Sequence, residues 1–201
     1  KDPKTPKFKE NLWQGVKHLE GRLKYFIFVS AVFAFAHFGL YLFLILRAQQ
    51  ITGSIVLALA LYSIFNLSYA VFAVPFGKLS DKIGRKTVLF LGYILFLVAI
   101  AGFIVAFNFI YLILMFIVYG LVYAIVQSNQ KAYAADLAGE MKGTALGLYS
   151  AVVGIVTIPA GLIAGLLWDK NPLTMFYYIF AIGVVSLALL YFVKECKEFR
   201  N

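Results

Sequence analysis

Two groups of residues in this chain are equipped for chemistry, and both are polar groups set among apolar ones. The first is the charged run Gly77-Lys78-Leu79-Ser80-Asp81-Lys82-Ile83-Gly84-Arg85-Lys86-Thr87, between two long hydrophobic stretches. Its chemistry is ion pairing. Asp81 offers a carboxylate near the start of a following helix, where the helix dipole favours negative charge. Arg85 offers a planar fork suited to a carboxylate. The two glycines argue for a built, tight turn, because positive charge used only as a topological signal needs no glycine.

The second group is uncharged and lies inside the hydrophobic stretches. Ser30, His37 and Tyr41 follow one another at helical intervals, as do Tyr62, Asn66 and Tyr69. So do Tyr119, Tyr123, Gln127 and Gln130, and Ser150, Gly154, Thr157 and Gly161. Each set falls on one helical face. A polar side chain in hydrocarbon is costly unless it faces protein or a water-filled cavity. His37, Asn66 and Tyr123 fall near the middle of their stretches. With Tyr41, Gln127 and Thr157 they are candidates for lining a substrate site at mid-membrane depth. His37 is also able to titrate and carry a proton. The alternatives are structural: a neutral His37 bonded to a neighbouring helix, and Asn66 and Gln127 holding helices together. No metal-ligand spacing or nucleophile–base constellation accompanies these residues, and no phosphate-cradling loop is present. The chain therefore reads as a non-enzyme with no cofactor and no metal.

The elements that must position these residues follow from composition. Hydrophobic residues make up 63% of the 201 and charged residues 13%, against about half and a quarter in soluble domains. Charge-free runs cover Tyr25–Leu46, Ala48–Gly77, Thr87–Gln130, Gly143–Trp168 and Asn171–Val193. A spanning helix needs about 20 apolar residues, so the long third run holds two helices, broken at Asn108. The expected fold is an all-α membrane protein with six spans: 25–46, 55–76, 88–107, 109–130, 144–167 and 173–193. Residues 1–24 form a basic lead-in in which Leu12, Trp13, Val16 and Leu19 recur at the spacing of an interfacial amphipathic helix. Residues 194–201 form a tail carrying Cys196, whose solitude excludes an internal disulfide.

The net charge of +9 is a matter of topology, not of nucleic-acid binding. Of the 18 Lys and Arg residues, all but Arg47 and Lys170 fall in the two terminal segments, the 78–86 run and the 131–142 loop, which six crossings place on one side. By the positive-inside rule both termini are cytoplasmic. The third and sixth spans carry few polar groups and are expected to face lipid. The fifth has small residues at Gly143, Gly147, Gly154, Gly161 and Gly165, a pattern that lets helices approach closely. Pro159 in the same span marks a kink or hinge.

The run Gly77–Thr87 resembles the G-x-x-x-D-[RK]-x-G-R-[RK] signature of the major facilitator superfamily of transporters, matched at Gly77, Asp81, Lys82, Gly84, Arg85 and Lys86. A second segment, Gln130-Lys131-Ala132-Tyr133-Ala134-Ala135-Asp136 through Gly143-Thr144-Ala145-Leu146-Gly147-Leu148-Tyr149, is similar to the A-Y-x-A-D and R-G-T-A-x-G-L pattern of that family, with Lys142 in place of arginine. The resemblance implies half of a twelve-span transporter, built as two inverted three-helix repeats, and the basic lead-in suits the C-terminal half. It implies secondary active transport of a small solute by alternating access. The signature would serve as a cytoplasmic gate in which Arg85 pairs with Asp136. The aromatic, uncharged faces favour drug or lipophile export and the Asn and Gln residues a sugar or other neutral solute, with a proton as candidate coupling ion, in a bacterial or archaeal cytoplasmic membrane. The partners implied are the bilayer, the substrate, and either the other six-helix half or a second copy. A scaffold or self-associating membrane module is the rival reading.

Overall fold

The computed structural model describes residues 19–37 and 39–193, which contain seven helices and no strand. They are α1 (Gly21–His37), α2 (Leu40–Thr52), α3 (Ile55–Ile83), α4 (Arg85–Ile104), α5 (Phe109–Asp136), α6 (Lys142–Lys170) and α7 (Pro172–Tyr191). They make six crossings, because α1 and α2 together form the first. The lead-in up to residue 18 and the tail from 194 lie outside the described residues. Only Leu19 of the expected amphipathic helix is seen, and it is buried.

The helix ends follow local chemistry. Asn108 accepts a hydrogen bond from the Tyr111 N–H at 2.8 Å and starts α5, so the break expected there is present. Asn171 caps α7 in the same way through the Leu173 N–H, with Pro172 in the first turn. Gly53 ends α2 in the left-handed conformation that glycine adopts without strain.

Two boundaries depart from expectation. The first span is not one helix over 25–46: α1 stops at His37, and α2 starts at Leu40 after Gly39, whose φ is +71°. The apolar stretches on either side hid this, since hydropathy reports depth and not backbone path. The break redirects the span. α1 packs on α6 and α7, whereas α2 packs on α3 and α5. The signature, in turn, is not mainly a loop. α3 runs through Gly77, Asp81 and Lys82 to Ile83, and Gly84 (φ +96°) is the single non-helical residue before α4. One glycine is enough to reverse the chain when both flanking helices are capped by their own backbone.

The interior is aromatic and aliphatic, with α5 at its centre between α3 and α4. The close approaches lie at glycines other than those the sequence pointed to. A side-chain carbon at Gly120 would sit 2.8 Å from the Phe65 carbonyl oxygen and 2.6 Å from Ser68 Cβ. One at Gly183 would sit 2.8 Å from Leu97, and one at Gly92 2.5 Å from Ile125. At Gly143, Gly147, Gly154, Gly161 and Gly165 it would meet no described atom within 4 Å. The glycines of α6 therefore do not serve packing inside this bundle. They share an outward-facing helix with Ile155, Ile158, Leu162 and Leu166.

The third span is also not simply lipid-facing. Tyr93, Phe96, Ala99 and Phe103 are fully buried, while an apolar edge that includes Leu91, Ile94 and Val98 faces outward. A span poor in polar groups is equally suited to lipid and to a dry core.

Candidate functional site

At one end of the bundle the signature forms a charge cluster. The short connection at Gly84 aligns α3 and α4 so that Arg85 lies one turn from Asp81, with Nη2 to Oδ1 at 3.2 Å. The same guanidinium reaches the last residue of α5, with Nε 2.6 Å from Asp136 Oδ2. Arg85 therefore joins the second and third spans to the fourth through one planar group. The Asp136 contact is the shorter and the better shielded: its carboxylate is about a quarter exposed, against 63% for Asp81. A charge-assisted bond of this length and shielding is worth about 1.5–3 kcal/mol, and the Asp81 contact falls nearer the ~0.5 kcal/mol of an exposed pair. Lys86 Nζ donates to the Tyr191 carbonyl at 3.2 Å, and Tyr25 Oη donates to the Leu189 carbonyl at 3.1 Å. The start of the first span and the end of the sixth thus meet at this end. Gly77 and Lys82 lie within or near the end of α3, and neither makes a turn.

Beneath the cluster is a buried polar network that the sequence did not single out. Gln130 Nε2 donates to Tyr93 Oη at 2.8 Å, and Tyr149 Oη donates to Gln130 Oε1 at 2.8 Å. Three spans are tied by one side-chain amide. The signal was present: Gln130 and Tyr149 open and close the second family-like segment, and Tyr93 is the one polar residue of the third span's interior.

Midway along the bundle the candidate cavity residues are brought partly together. Tyr123 is half-buried at its centre. His37 stacks on it at 4.9 Å, Phe65 meets it edge-on at 5.3 Å and Tyr69 edge-on at 5.5 Å. Tyr41 stacks on Tyr62 at 5.8 Å. Gln127 faces the Tyr123 hydroxyl one turn on.

Three candidates sit differently from expectation. His37 is 5% exposed and enclosed by Phe33, Phe96, Tyr119 and Tyr123, so it faces no open cavity in this conformation. It is not hydrogen-bonded to a neighbouring helix either: Nε2 and the nearby Tyr119 hydroxyl are buried with no partner among the described residues. The end of α1 at His37 turns the ring inward against α4 and α5. Asn66 is exposed and donates to the Tyr62 carbonyl of its own helix at 2.8 Å, so it does not hold two helices together. Thr157 likewise donates to Gly154 O at 2.6 Å, on α6 and apart from the tyrosines. Pro159 lies within α6 without ending it.

A helical bundle of six apolar crossings, with a charge cluster at one end and a polar-aromatic wall midway, is the architecture of an integral membrane protein. The chain belongs to the major facilitator superfamily: the family model described as Major Facilitator Superfamily matches residues 26–198. It is similar to an uncharacterized MFS-type transporter of Methanocaldococcus jannaschii, with 45% identity over 186 residues that cover 89% of this chain and 46% of the relative. The chain thus spans just under half the length of that relative.

Proposed function

We propose that this chain supplies one six-span half, the C-terminal one, of a secondary transporter that moves a small organic solute by alternating access. The observation that carries the reading is the double engagement of Arg85. An arginine shared between Asp81 and Asp136 joins both three-span groups at one end of the bundle, where a latch would act. A partly shielded ion pair is suited to such a role, because it is strong when closed and hydrates at modest cost when opened. The basic residues at that end support a cytoplasmic placement in a bacterial or archaeal inner membrane. The uncharged aromatic wall supports export of a drug-like or lipophilic solute. Proton coupling would fall to His37, which must then become accessible in another state of the cycle.

The test is solute counterflow in proteoliposomes with the protein at its full native length. Arg85→Ala should lower flux at least tenfold and shift the balance of inward- and outward-open states, read by spin-label distances across the Arg85 end. Unchanged flux together with unchanged distances would remove the latch. If no solute exchanges at all, the scaffold reading stands instead. A second copy and the remaining half are then the two partners to separate, by sedimentation in detergent.

A further inference from the structure

We infer that the groove between the first, fifth and sixth spans is a lipid site, which takes an acyl chain of an anionic phospholipid and holds its phosphate at Lys24. The inference goes beyond the transporter reading and does not depend on it. It needs only the bilayer around six apolar crossings.

α1 packs between α6 and α7 and turns one face to α4 and α5, where Phe33 stacks on Tyr93 and Phe26 meets Tyr133. Phe28 and Phe35 each lie two residues from one of those rings, about 200° round the helix. With Val32 they form a stripe on the opposite face, and Phe28 is 54% exposed. Lys24 stands one turn before Phe28 on the same side. This stripe and Leu148, Val152 and Val156 of α6 line a cavity of about 410 Å³. A second cavity of about 250 Å³ meets it at Val32 and Phe35, and its other wall is α7, with Ile182 and Val185. Together they make one groove with α1 as its floor, and Lys24 is the one charged residue among those lining it.

Length and charge single out a lipid. From Lys24 to Phe35 the helix rises about 16 Å, and one leaflet of hydrocarbon is about 15 Å thick. Lys24 lies at headgroup depth. The next residue, Tyr25, bonds to the Leu189 carbonyl at the end of the bundle that holds the Arg85 cluster. Arg22, in the same first turn of α1, is exposed beside it. An ammonium with three donors suits a phosphate, and the apolar walls below it suit a chain.

The groove and the small-residue face of α6 point different ways. Leu148, Val152 and Val156 lie about 160° round the helix from the mean direction of Gly143, Gly147, Gly154, Gly161 and Gly165. A side-chain carbon at any of those glycines would meet no described atom within 4 Å. A helix docking closely on the glycines therefore leaves the groove to the bilayer.

The test uses the full-length protein in phosphatidylcholine nanodiscs doped with a phosphatidylglycerol that carries a diazirine near the end of one acyl chain. After photolysis the labelled peptides are mapped by mass. Label should concentrate around Phe35 and Val156. Phosphatidylglycerol should label them about fivefold more than a phosphatidylcholine with the same chain, the effect of one basic residue at the membrane surface. Lys24→Gln should bring the two lipids within about twofold. Val152→Trp fills the groove and should cut labelling there about tenfold while labelling elsewhere on the bundle stays. Lys24→Gln alters only a surface charge, so it decides the matter even where the tryptophan variant fails to fold.

Label spread evenly round the six spans, or a headgroup preference that survives Lys24→Gln, overturns the lipid site. An unlabelled groove overturns it too, and means that the rest of a longer protein covers these residues. Groove labelling without counterflow keeps the lipid site and removes the transporter reading, and counterflow without groove labelling does the reverse.

Discussion

His37 sits at a helix end with its ring stacked between phenylalanine and tyrosine, and its Nε2 has no partner among the described residues. An unpaired buried donor or acceptor costs about 1–3 kcal/mol. If packing is the larger part of what His37 does for the fold, His37→Phe should hold stability constant or raise it by about 1 kcal/mol. His37→Ala should lower it by about 2–4 kcal/mol through the space it leaves. Equilibrium unfolding in detergent checks both, and a phenylalanine variant as weak as the alanine one would show that the ring nitrogen has a partner after all. Gln130 is the opposite case, a buried polar group with both ends used. Gln130→Leu strands the Tyr93 and Tyr149 hydroxyls and removes the side-chain tie between α5 and α6. Interhelical hydrogen bonds in membranes average about 0.6 kcal/mol, so two of them with two stranded hydroxyls predict a loss of about 2–4 kcal/mol. Tyr149→Phe, which breaks one bond, should cost about half as much.

Elements in this bundle are set by where backbones approach. At Gly120 the α3 and α5 backbones come close enough that the Phe65 carbonyl and Ser68 fill the place of a side chain, and the Ser68 hydroxyl donates to Ile117 O at 3.0 Å across the same contact. Gly120→Ala should destabilise by about 1–3 kcal/mol through overpacking. Gly147→Ala meets no described atom and should leave the unfolding midpoint of this bundle unchanged. A shared loss at both sites in a thermal scan would mean that α6 is held by a surface outside this chain. The sequence pointed to Gly147 and not to Gly120, since small residues at helical spacing mark a surface of close approach without naming the partner. The break in the first span was equally illegible: Gly39 was visible, but a glycine in a transmembrane helix is commonplace, and only its left-handed backbone reveals the turn.

All of the Lys and Arg residues but Arg47 and Lys170 fall in sequence segments that six crossings place on one side, and that pattern makes a prediction independent of any cavity. Cys196 belongs to the basic C-terminal segment. A membrane-impermeant maleimide should label it, by peptide mass, in inside-out vesicles and not in intact cells. Labelling in intact cells would invert the topology.

The number of crossings, their approximate places, the charged end and the family were all legible in the sequence, because they depend on hydropathy and on short linear motifs. The Arg85–Asp136 pair was legible only as a consequence of the family-like motifs. The tertiary structure alone decided which polar residues meet. It sealed His37 into an aromatic box, turned Asn66 back onto its own helix, and tied Tyr93 and Tyr149 together through Gln130. Helical periodicity fixes a residue's face to within a turn, but the face a neighbouring helix presents depends on crossing angle and on breaks such as Gly39. Those come from packing summed over the whole bundle and leave no mark at any one position.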